Sequence, residues 1–507
     1  MKRVLAFALA LGAAAAFAHC DASTLGKSPV KRTGSARALG IFATSLPEDE
    51  RAQARLAMTQ DAFRREHRFE EATKPGMMFA SSRVEEAELE AKLWSPEDMF
   101  QLGAQLFHTT FTKEVGFGGS DLPPLARFHK GRRGGPDSRR CANCHWRGGI
   151  GGAGDGADNA YFDGDGDRQS TTLERNPPAL VGAGLVELLA REMTRDLKNQ
   201  RDALARRAKS EGTTVNAELV TKGVSFGLAV AAPDGSVDLS RITGAVDADL
   251  TVRPFGWKGT FATIRDTVED SLNVHHGMQT EWLARNGGAE RMGAGAPDDP
   301  DGDGIQREIS EGQTTVLTLF VAMQETPQTI IPSGLKSFIG DSDFAAAWAQ
   351  GRATFERIGC AECRRPSLTL ESTVFSVPSR AGGRDVTVDL AKDAAQPRVV
   401  PASDGTGVTV ELYSDLRRHD MGPDLREARA DRGVAPERFL TRPLWGLARS
   451  KPYLHDGRTP LAEEAILAHG GEALAARNAF ATLGESEKSA VRSFLASLSR
   501  AHRLVLP

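Results

Sequence analysis

Four of the five cysteines form two C-x-x-C pairs, Cys141 with Cys144 and Cys360 with Cys363. His145 follows the first pair directly and completes the C-x-x-C-H sequence that attaches c-type haem. Two thioether bonds then fix the porphyrin edge, and the adjacent histidine becomes an axial ligand of the iron. Zinc would need two further ligands at fixed spacing, and none lies nearby in the sequence. The first pair therefore predicts a covalently bound haem ligated by His145.

The two pairs belong to a pattern that occurs twice along the chain. Each copy opens with a predicted helix, at Ser95-Pro96 in the first and at Asp343-Phe344 in the second, and each closes with an amphipathic helix. The corresponding segments are 175–180 with 441–445, 257–260 with 455–459, and the closing helices 311–322 with 487–496. Their shared order predicts two homologous domains, 95–327 and 341–500, with a linker at 328–340.

The first copy is longer because it carries an insertion at about residues 185–253. The insertion begins with a charged segment of high helix propensity and continues as a Val- and Leu-rich segment that predicts a small β-ribbon, with a turn at Asp234-Gly235. Residues 19–94 have mixed charge and little apolar periodicity. They predict an N-terminal arm that either wraps the protein or is partly disordered.

The first eighteen residues have the composition of a secretory signal. Lys2 and Arg3 precede an apolar run that ends with Ala16-Phe17-Ala18. The run is too short for a transmembrane helix, and no later window approaches about 18 uninterrupted apolar residues. We therefore expect export to the periplasm or secretion, with no transmembrane segment after the signal is removed.

Composition narrows the class of protein further. Charged residues are 26% of the chain and the apolar set is 40%, as in soluble globular proteins. Lys and Arg number 63 against 67 Asp and Glu, so the chain lacks the basic excess that a nucleic-acid partner requires. At 507 residues it is long enough for two or three compact units.

The sequence resembles the bacterial di-haem oxidoreductases, which are similar to the di-haem cytochrome c peroxidases. The resemblance covers about residues 95–500, and the segments that carry it are 141–145, 253–258, 301–304, 419–422 and 452–458. In such enzymes one haem stores an electron and the other meets peroxide, with a tryptophan between them. The resemblance implies that Trp257 is this tryptophan and that Met421 supplies the sixth ligand of the C-terminal haem. Together with the duplication it predicts a mainly α fold: two tandem cytochrome c-like domains, with a small β-containing insertion in the first.

The second C-x-x-C pair departs from that family because Arg364 stands where the axial histidine belongs. A guanidinium stays protonated and has no lone pair to give to iron. Three possibilities follow: the pair carries no haem and Cys360 and Cys363 form a disulfide or a redox dithiol; haem is held with a substitute ligand such as His419 or Met421; or Arg364 pairs with a haem propionate. The absence of the histidine favours the first.

The other face of the first haem also differs from the family pattern. Thr267 stands where the family tends to place glutamine, and His275 and His276 lie near the position of its distal acidic residue. Either imidazole could close the iron as a sixth ligand, or act as a base that moves a proton between peroxide oxygens. A solvent-facing histidine pair at a helix end is the alternative. Of the two, His276 is the preferred candidate.

Acidic residues alternate with turn residues at Asp299, Asp301 and Asp303, as in calcium-binding loops. Ser310 occupies the twelfth position, where such loops carry a bidentate glutamate. Residues 163–167 form a similar cluster. Calcium at these places and a plain solvated turn are both compatible with the pattern.

The sequence thus predicts an exported, peroxidase-like c-type haem oxidoreductase, with His275, His276 and Trp257 as catalytic candidates and electron relay toward the second domain. Its expected partners are a small electron-donor protein and a peroxide-like oxidant. One alternative is an electron-transfer cytochrome without substrate turnover. The other is a mono-haem protein whose second domain is a haem-free docking or dithiol module.

Overall fold

A computed structural model describes residues 83–119, 136–162, 172–244, 246–286, 299, 302–331, 344–380 and 382–500. The predicted signal at 1–18 and residues 19–82 of the predicted arm lie outside these residues. Within the described ranges, no helix is both long enough and apolar enough to cross a membrane.

The α-helices of the described residues vary widely in length, from single turns to one helix of 29 residues. In chain order they are α1 Glu86–Glu90, α2 Pro96–His108, α3 Ala183–Glu211, α4 Ile264–His276, α5 Glu281–Arg285, α6 Glu311–Ala322, α7 Phe344–Arg357, α8 Ala462–Leu467, α9 Leu474–Ala481 and α10 Glu485–Ser497.

The strands are short and form several small antiparallel sheets. In chain order they are β1 Ala160–Phe162, β2 Leu173–Arg175, β3 Val215–Thr221, β4 Val224–Ala231, β5 Val237–Ile242, β6 Gln328–Thr329, β7 Leu368–Leu370, β8 Val374–Val377, β9 Val386–Asp389, β10 Val408–Val410, β11 Arg418–Asp420, β12 Arg438–Leu440 and β13 Leu498–Ser499. Strands β3, β4 and β5 make a three-stranded sheet, and β1 pairs with β2, β7 with β10, β8 with β9, β11 with β12, and β6 with β13.

The prediction of a mainly α fold with two tandem cytochrome c-like domains is wrong. Helix accounts for 38% of the described residues and strand for 17%, spread over several small sheets. Most of the unexpected strands lie between Leu368 and Leu440. Runs such as 374–377 are only four residues long, which is too short for alternation to reveal a strand in the sequence. Their pairing partners lie well apart in the chain, as when Leu368 pairs with Val410.

The helices that open and close each sequence repeat are confirmed. The Ser95 side chain caps α2 by accepting from the Asp98 backbone N–H at 3.1 Å, and Asp98 completes a capping box. Helix α2 packs against α6, and α7 packs against α10. The insertion also forms the predicted helix and ribbon, as α3 and the sheet that contains β4 and β5.

A glycine lies at each of these two helix contacts. A Cβ on Gly103 of α2 would overlap the carbonyl oxygen of Val316 on α6, and a Cβ on Gly351 of α7 would overlap that of Ala490 on α10. The helix backbones therefore approach more closely than any side chain at these positions would allow. Both contacts lie beside a C-x-x-C motif, so they set the spacing of the walls around it.

The buried apolar residues form a larger and a smaller cluster. The larger cluster extends from Val84 to Trp445 and includes side chains from both sequence repeats. The smaller one surrounds α7 and α10, where Phe355, Phe480 and Phe494 are almost fully buried. Both clusters contain side chains of the second repeat. The proposed domain limits at 95–327 and 341–500 stay a prediction.

Replacing Gly351 with alanine should lower the free energy of unfolding by about 2 kcal/mol, because the added methyl group forces α7 and α10 apart. Thermal or urea unfolding followed by circular dichroism measures this change. Gly156→Ala is the matched control, since a Cβ there meets no atom within 4 Å. Equal stability of the two variants would contradict the close helix contact.

Candidate functional site

Both C-x-x-C motifs line one cavity of about 620 Å³. This volume lies in the range of cofactor and substrate sites. The residues predicted as functional that line it are Cys141, Cys144, His145, Trp257, His275, His276, Cys360, Cys363, Arg364, His419 and Met421. The fold therefore brings together nearly all of the predicted haem-site residues, although the two motifs are more than 200 positions apart in the sequence.

The first motif forms a short 3₁₀ turn at Cys141–Asn143, which places His145 against the chain that follows it. His145 Nδ1 lies 3.1 Å from the Pro178 carbonyl oxygen and 3.3 Å from that of Gly152. Carbonyl oxygens only accept, so Nδ1 carries the proton and donates it. Burial lowers the pKa of His145 to about 4. The imidazole is therefore neutral at pH 7, with Nε2 as the nitrogen that keeps a lone pair.

This arrangement fits a haem. An imidazole that ligates a metal needs one free nitrogen, and its other nitrogen usually donates to a carbonyl or carboxylate that fixes the ring. His145 meets both conditions. Cys141 and Cys144 are not joined in a disulfide and line the same cavity, as thioether attachment requires. The first motif thus offers the complete donor set of a c-type haem.

The two candidate distal histidines lie in different surroundings at the end of α4. His276 is buried, with Nδ1 donating to the Ser138 carbonyl and Nε2 3.6 Å from Cys141 Sγ. Burial lowers its pKa to about 4. His275 is partly exposed, and its Nδ1 lies 2.8 Å from Asp137 Oδ2. His276 therefore has one nitrogen on the Ser138 carbonyl and the other near Cys141 of the motif, whereas His275 belongs to a histidine–aspartate pair.

Trp257 links the two motifs through a continuous set of contacts. Its Nε1 donates to the Asn176 carbonyl at 2.8 Å, two residues before the carbonyl that holds His145. The Arg442 guanidinium lies 5.3 Å from the centre of the Trp257 ring. The backbone carbonyl of Arg442 accepts a hydrogen bond from Arg364 of the second motif. Trp257 thus lies between the first and second C-x-x-C pairs.

The second motif does not offer the ligands predicted for it. Arg364 has no lone pair, and its guanidinium is held by the Arg442 carbonyl. His419 Nε2 lies 2.8 Å from Asp415 Oδ2, and its Nδ1 lies 2.7 Å from Glu472 Oε2. Burial lowers the pKa of His419, but Asp415 and Cys363 outweigh this effect and raise that pKa to about 10. A doubly protonated imidazole cannot ligate iron, and of the predicted substitutes only Met421 keeps a lone pair.

His469 is a cavity histidine that the sequence analysis did not select. Its Nδ1 donates to the Ala465 carbonyl at 2.6 Å, and burial lowers its pKa to about 4. It resembles His145 in having one nitrogen fixed on a carbonyl. In the sequence it follows an ordinary helix end, and no spacing connects it to Cys363.

Four further polar residues of the site were not selected in the sequence analysis. Asp137 and Asp415 each orient a histidine, Glu472 holds the second nitrogen of His419, and Arg442 lies on Trp257. Each is far in sequence from its partner, apart from Asp415, which lies four residues before His419. That four-residue spacing was the one available signal, and it is common by chance.

The predicted calcium loop is described only in part. The Asp299 carboxylate accepts backbone N–H groups from Gly302 at 3.0 Å, Asp303 at 3.2 Å and Gly304 at 3.0 Å. Asp301 and the second cluster at 163–167 lie outside the described residues. A carboxylate already bonded to three amides is typical of a turn, and calcium binding here stays a prediction.

Residues 343–498 match the family described as "Di-haem oxidoreductase, putative peroxidase", which is the family that the sequence resembles. The match covers the second repeat, including Cys360, Cys363 and Met421. The family name implies a haem cofactor and a peroxidase-like oxidoreductase. A comparison with curated proteins gave no match.

The buried neutral histidines should make stability depend on pH. The pKa of His469 is about 4 in the folded chain and about 6.5 in an unfolded one, so the unfolded state binds more protons between these values. Stability is complete above pH 6.5 and is lost as the pH falls toward 4. Urea unfolding at several pH values should show a steeper slope for the wild type than for His469→Gln, by at most about 1.4 kcal/mol per pH unit. Identical slopes would mean that folding leaves the pKa of His469 unchanged, which would contradict its burial as a neutral ring.

Proposed function

We propose that this protein is an exported, peroxidase-like c-type haem oxidoreductase, with the haem attached at Cys141 and Cys144 and electron relay through Trp257. The observation that carries the proposal is the neutral imidazole of His145, fixed on the carbonyls of Pro178 and Gly152 beside two cysteines that form no disulfide. The match of residues 343–498 to a di-haem oxidoreductase family supports the same chemistry.

A haem at this place supplies an iron able to react with peroxide, and the chain supplies the groups around it. His275 is the residue we assign to proton transfer. Asp137 fixes its ring through Nδ1, and the side chain is partly open to the cavity, so Nε2 can accept and return a proton. His276 is less suited to this role because Ser138 and Cys141 occupy its two nitrogens.

Electrons pass between the two motifs along the contacts of Trp257. Its indole is bonded to the Asn176 carbonyl on the side of His145 and lies beside Arg442 on the side of the second motif. The nearby cation favours the neutral indole over its oxidised, positively charged form, which raises the potential of the tryptophan. Trp257 therefore acts as the connecting group and does not retain the oxidising equivalent.

Export and an electron-donor protein complete the proposal. Trp146 follows His145 directly, and 48% of its surface is exposed. Exposed aromatic side chains are typical of surfaces against which a protein partner packs. The start of the sequence, with its secretory-signal composition, supports a periplasmic or secreted location.

The proposal is tested by expressing the full chain with cytochrome maturation proteins and measuring intact mass and the pyridine haemochrome spectrum. We expect covalent haem on the peptide that contains Cys141 and Cys144, and peroxide-dependent oxidation of a reduced donor. His145→Ala should lower that turnover by at least about a hundredfold, because the axial ligand is lost.

His108→Ala is the matched control, since this exposed histidine ends α2 and its Nδ1 donates to the Ala104 carbonyl of the same helix. Its turnover should equal that of the wild type. A colourless protein would refute the proposal. A six-coordinate haem that is inert to peroxide would instead indicate an electron-transfer cytochrome.

Trp257→Phe should slow electron transfer between the donor and the first site by about tenfold or more while leaving the haem content unchanged. The variant keeps an aromatic side chain, but it loses the Nε1 hydrogen bond to Asn176. It also replaces the indole with a phenyl ring, which is harder to oxidise. Stopped-flow measurement of donor oxidation reports the rate.

Trp282→Phe is the control because Trp282 also has an arginine on its ring, Arg380 at 4.2 Å, but does not line the cavity. If both variants transfer electrons at the wild-type rate, Trp257 is not part of the route.

A further inference from the structure

We propose that Cys363 is a peroxide-reactive nucleophile, with His419 and Asp415 as its positioning partners and Cys360 as the thiol that resolves the product. The second C-x-x-C pair would then be a two-electron dithiol centre in the same cavity as the first motif. This inference rests on the geometry of the second motif and does not depend on haem at the first.

The three side chains form a consecutive hydrogen-bonded series. Cys363 Sγ lies 3.7 Å from His419 Nδ1, and His419 Nε2 lies 2.8 Å from Asp415 Oδ2. A nucleophile in contact with an imidazole that a third, acidic group orients is the arrangement of activated serine and cysteine nucleophiles. Asp415 and His419 are both buried, with 2% and 5% of their surfaces exposed, so their orientation is fixed.

The contacts of the two thiols differ. His419 shares its Nδ1 proton between Cys363 Sγ and Glu472 Oε2, and Arg364 is the next residue in the chain. Burial raises the pKa of the Cys360 thiol to about 11 against the opposing effect of Arg364. The imidazole contact therefore makes Cys363 the candidate nucleophile and leaves Cys360 as the thiol that resolves the product.

The same contacts argue against a metal at this position. Cys363, Asp415 and His419 offer ligand atoms within 4.8 Å of one another, which is close enough for a cation. His419, however, uses both ring nitrogens as donors to carboxylates, so it has no lone pair to offer. For the same reason, the lack of a lone pair, neither His419 nor Arg364 can serve as an axial ligand of a haem iron. Asp415 and Glu472 each accept a hydrogen bond from His419, which leaves the sulfur of Cys363 as the reactive atom of this group.

The chemistry balances with a peroxide and a dithiol reductant. The Cys363 thiolate attacks one peroxide oxygen, the O–O bond breaks, and the leaving alkoxide or hydroxide takes the proton from His419. Cys363 is thereby oxidised to a sulfenic acid, and the peroxide is reduced to an alcohol or water. The Cys360 thiol then attacks the Cys363 sulfur, which forms the disulfide and releases water. An external dithiol returns two electrons and two protons and restores both thiols.

The test uses the full-length protein, reduced with dithiothreitol, desalted, and exposed to hydrogen peroxide with dimedone present. Peptide mass spectrometry should show a Cys360–Cys363 disulfide in the wild type and a dimedone-trapped sulfenic acid on Cys363 in Cys360→Ser. His419→Gln should slow oxidation of Cys363 by at least about tenfold, and His108→Gln should not change it. Asp415→Asn keeps the side-chain size and should slow it as well, which provides a second variant if His419→Gln does not fold.

Three results would overturn the proposal: haem bound by thioethers to Cys360 and Cys363, a stoichiometric metal ion that blocks Cys363, or equal oxidation rates in the wild type and Asp415→Asn. His145→Ala separates this proposal from the proposed function. That variant should lose haem-dependent turnover and keep the oxidation of Cys363 at the wild-type rate.

Discussion

The site depends on one hydrogen bond, from His145 Nδ1 to the Pro178 carbonyl at 3.1 Å. Carbonyl oxygens can only accept, so this contact places the proton on Nδ1 and leaves the lone pair on Nε2. Burial keeps the ring neutral at physiological pH. Without this contact the imidazole could rotate or change tautomer, and the first motif would no longer present a fixed nitrogen lone pair to the cavity.

The same loop connects the first motif to the rest of the cavity. Asn176, two residues before Pro178, accepts from Trp257 and donates its backbone N–H to the His455 carbonyl at 2.7 Å. Segment 176–178 thus touches the iron-ligand candidate, the tryptophan and the second repeat within three residues. A shift of this segment would change its contacts with His145, with Trp257 and with His455 at the same time. Segment 176–178 therefore connects the two repeats structurally.

The two ends of the cavity have opposite electrostatic character. At the first motif burial outweighs the opposing effect of the carbonyl oxygens that His145 and His276 contact, and it keeps both imidazoles neutral. At the second motif Asp415 and Cys363 raise the pKa of His419 to about 10 and keep it charged, and Arg364 adds another cation. A neutral imidazole suits metal ligation, whereas a charged one suits stabilisation of a sulfur anion. The chain has thus repeated a motif and changed the chemistry of its second copy.

The local elements followed from the sequence where a signal lay within a few residues. Ser95 with Asp98 marked the start of α2, and Asp234-Gly235 marked the turn between β4 and β5. The mainly α prediction failed between Leu368 and Leu440 because strands of three or four residues carry almost no periodicity, and they form only when distant partners pair. Helices at the ends of each repeat were visible, but the sheets between them were not.

The sequence alone was sufficient to predict the attachment chemistry: the C-x-x-C-H spacing predicts a haem site, and arginine stands after the second pair where an axial histidine is expected. Both conclusions depend on adjacent residues, whose proximity is covalent. Only the tertiary structure decided which residues surround the motifs. Asp137 reaches His275 across 138 positions, and Glu472 reaches His419 across 53. Folding alone creates such contacts, and with them the protonation state of each histidine, because burial and charge partners set its pKa.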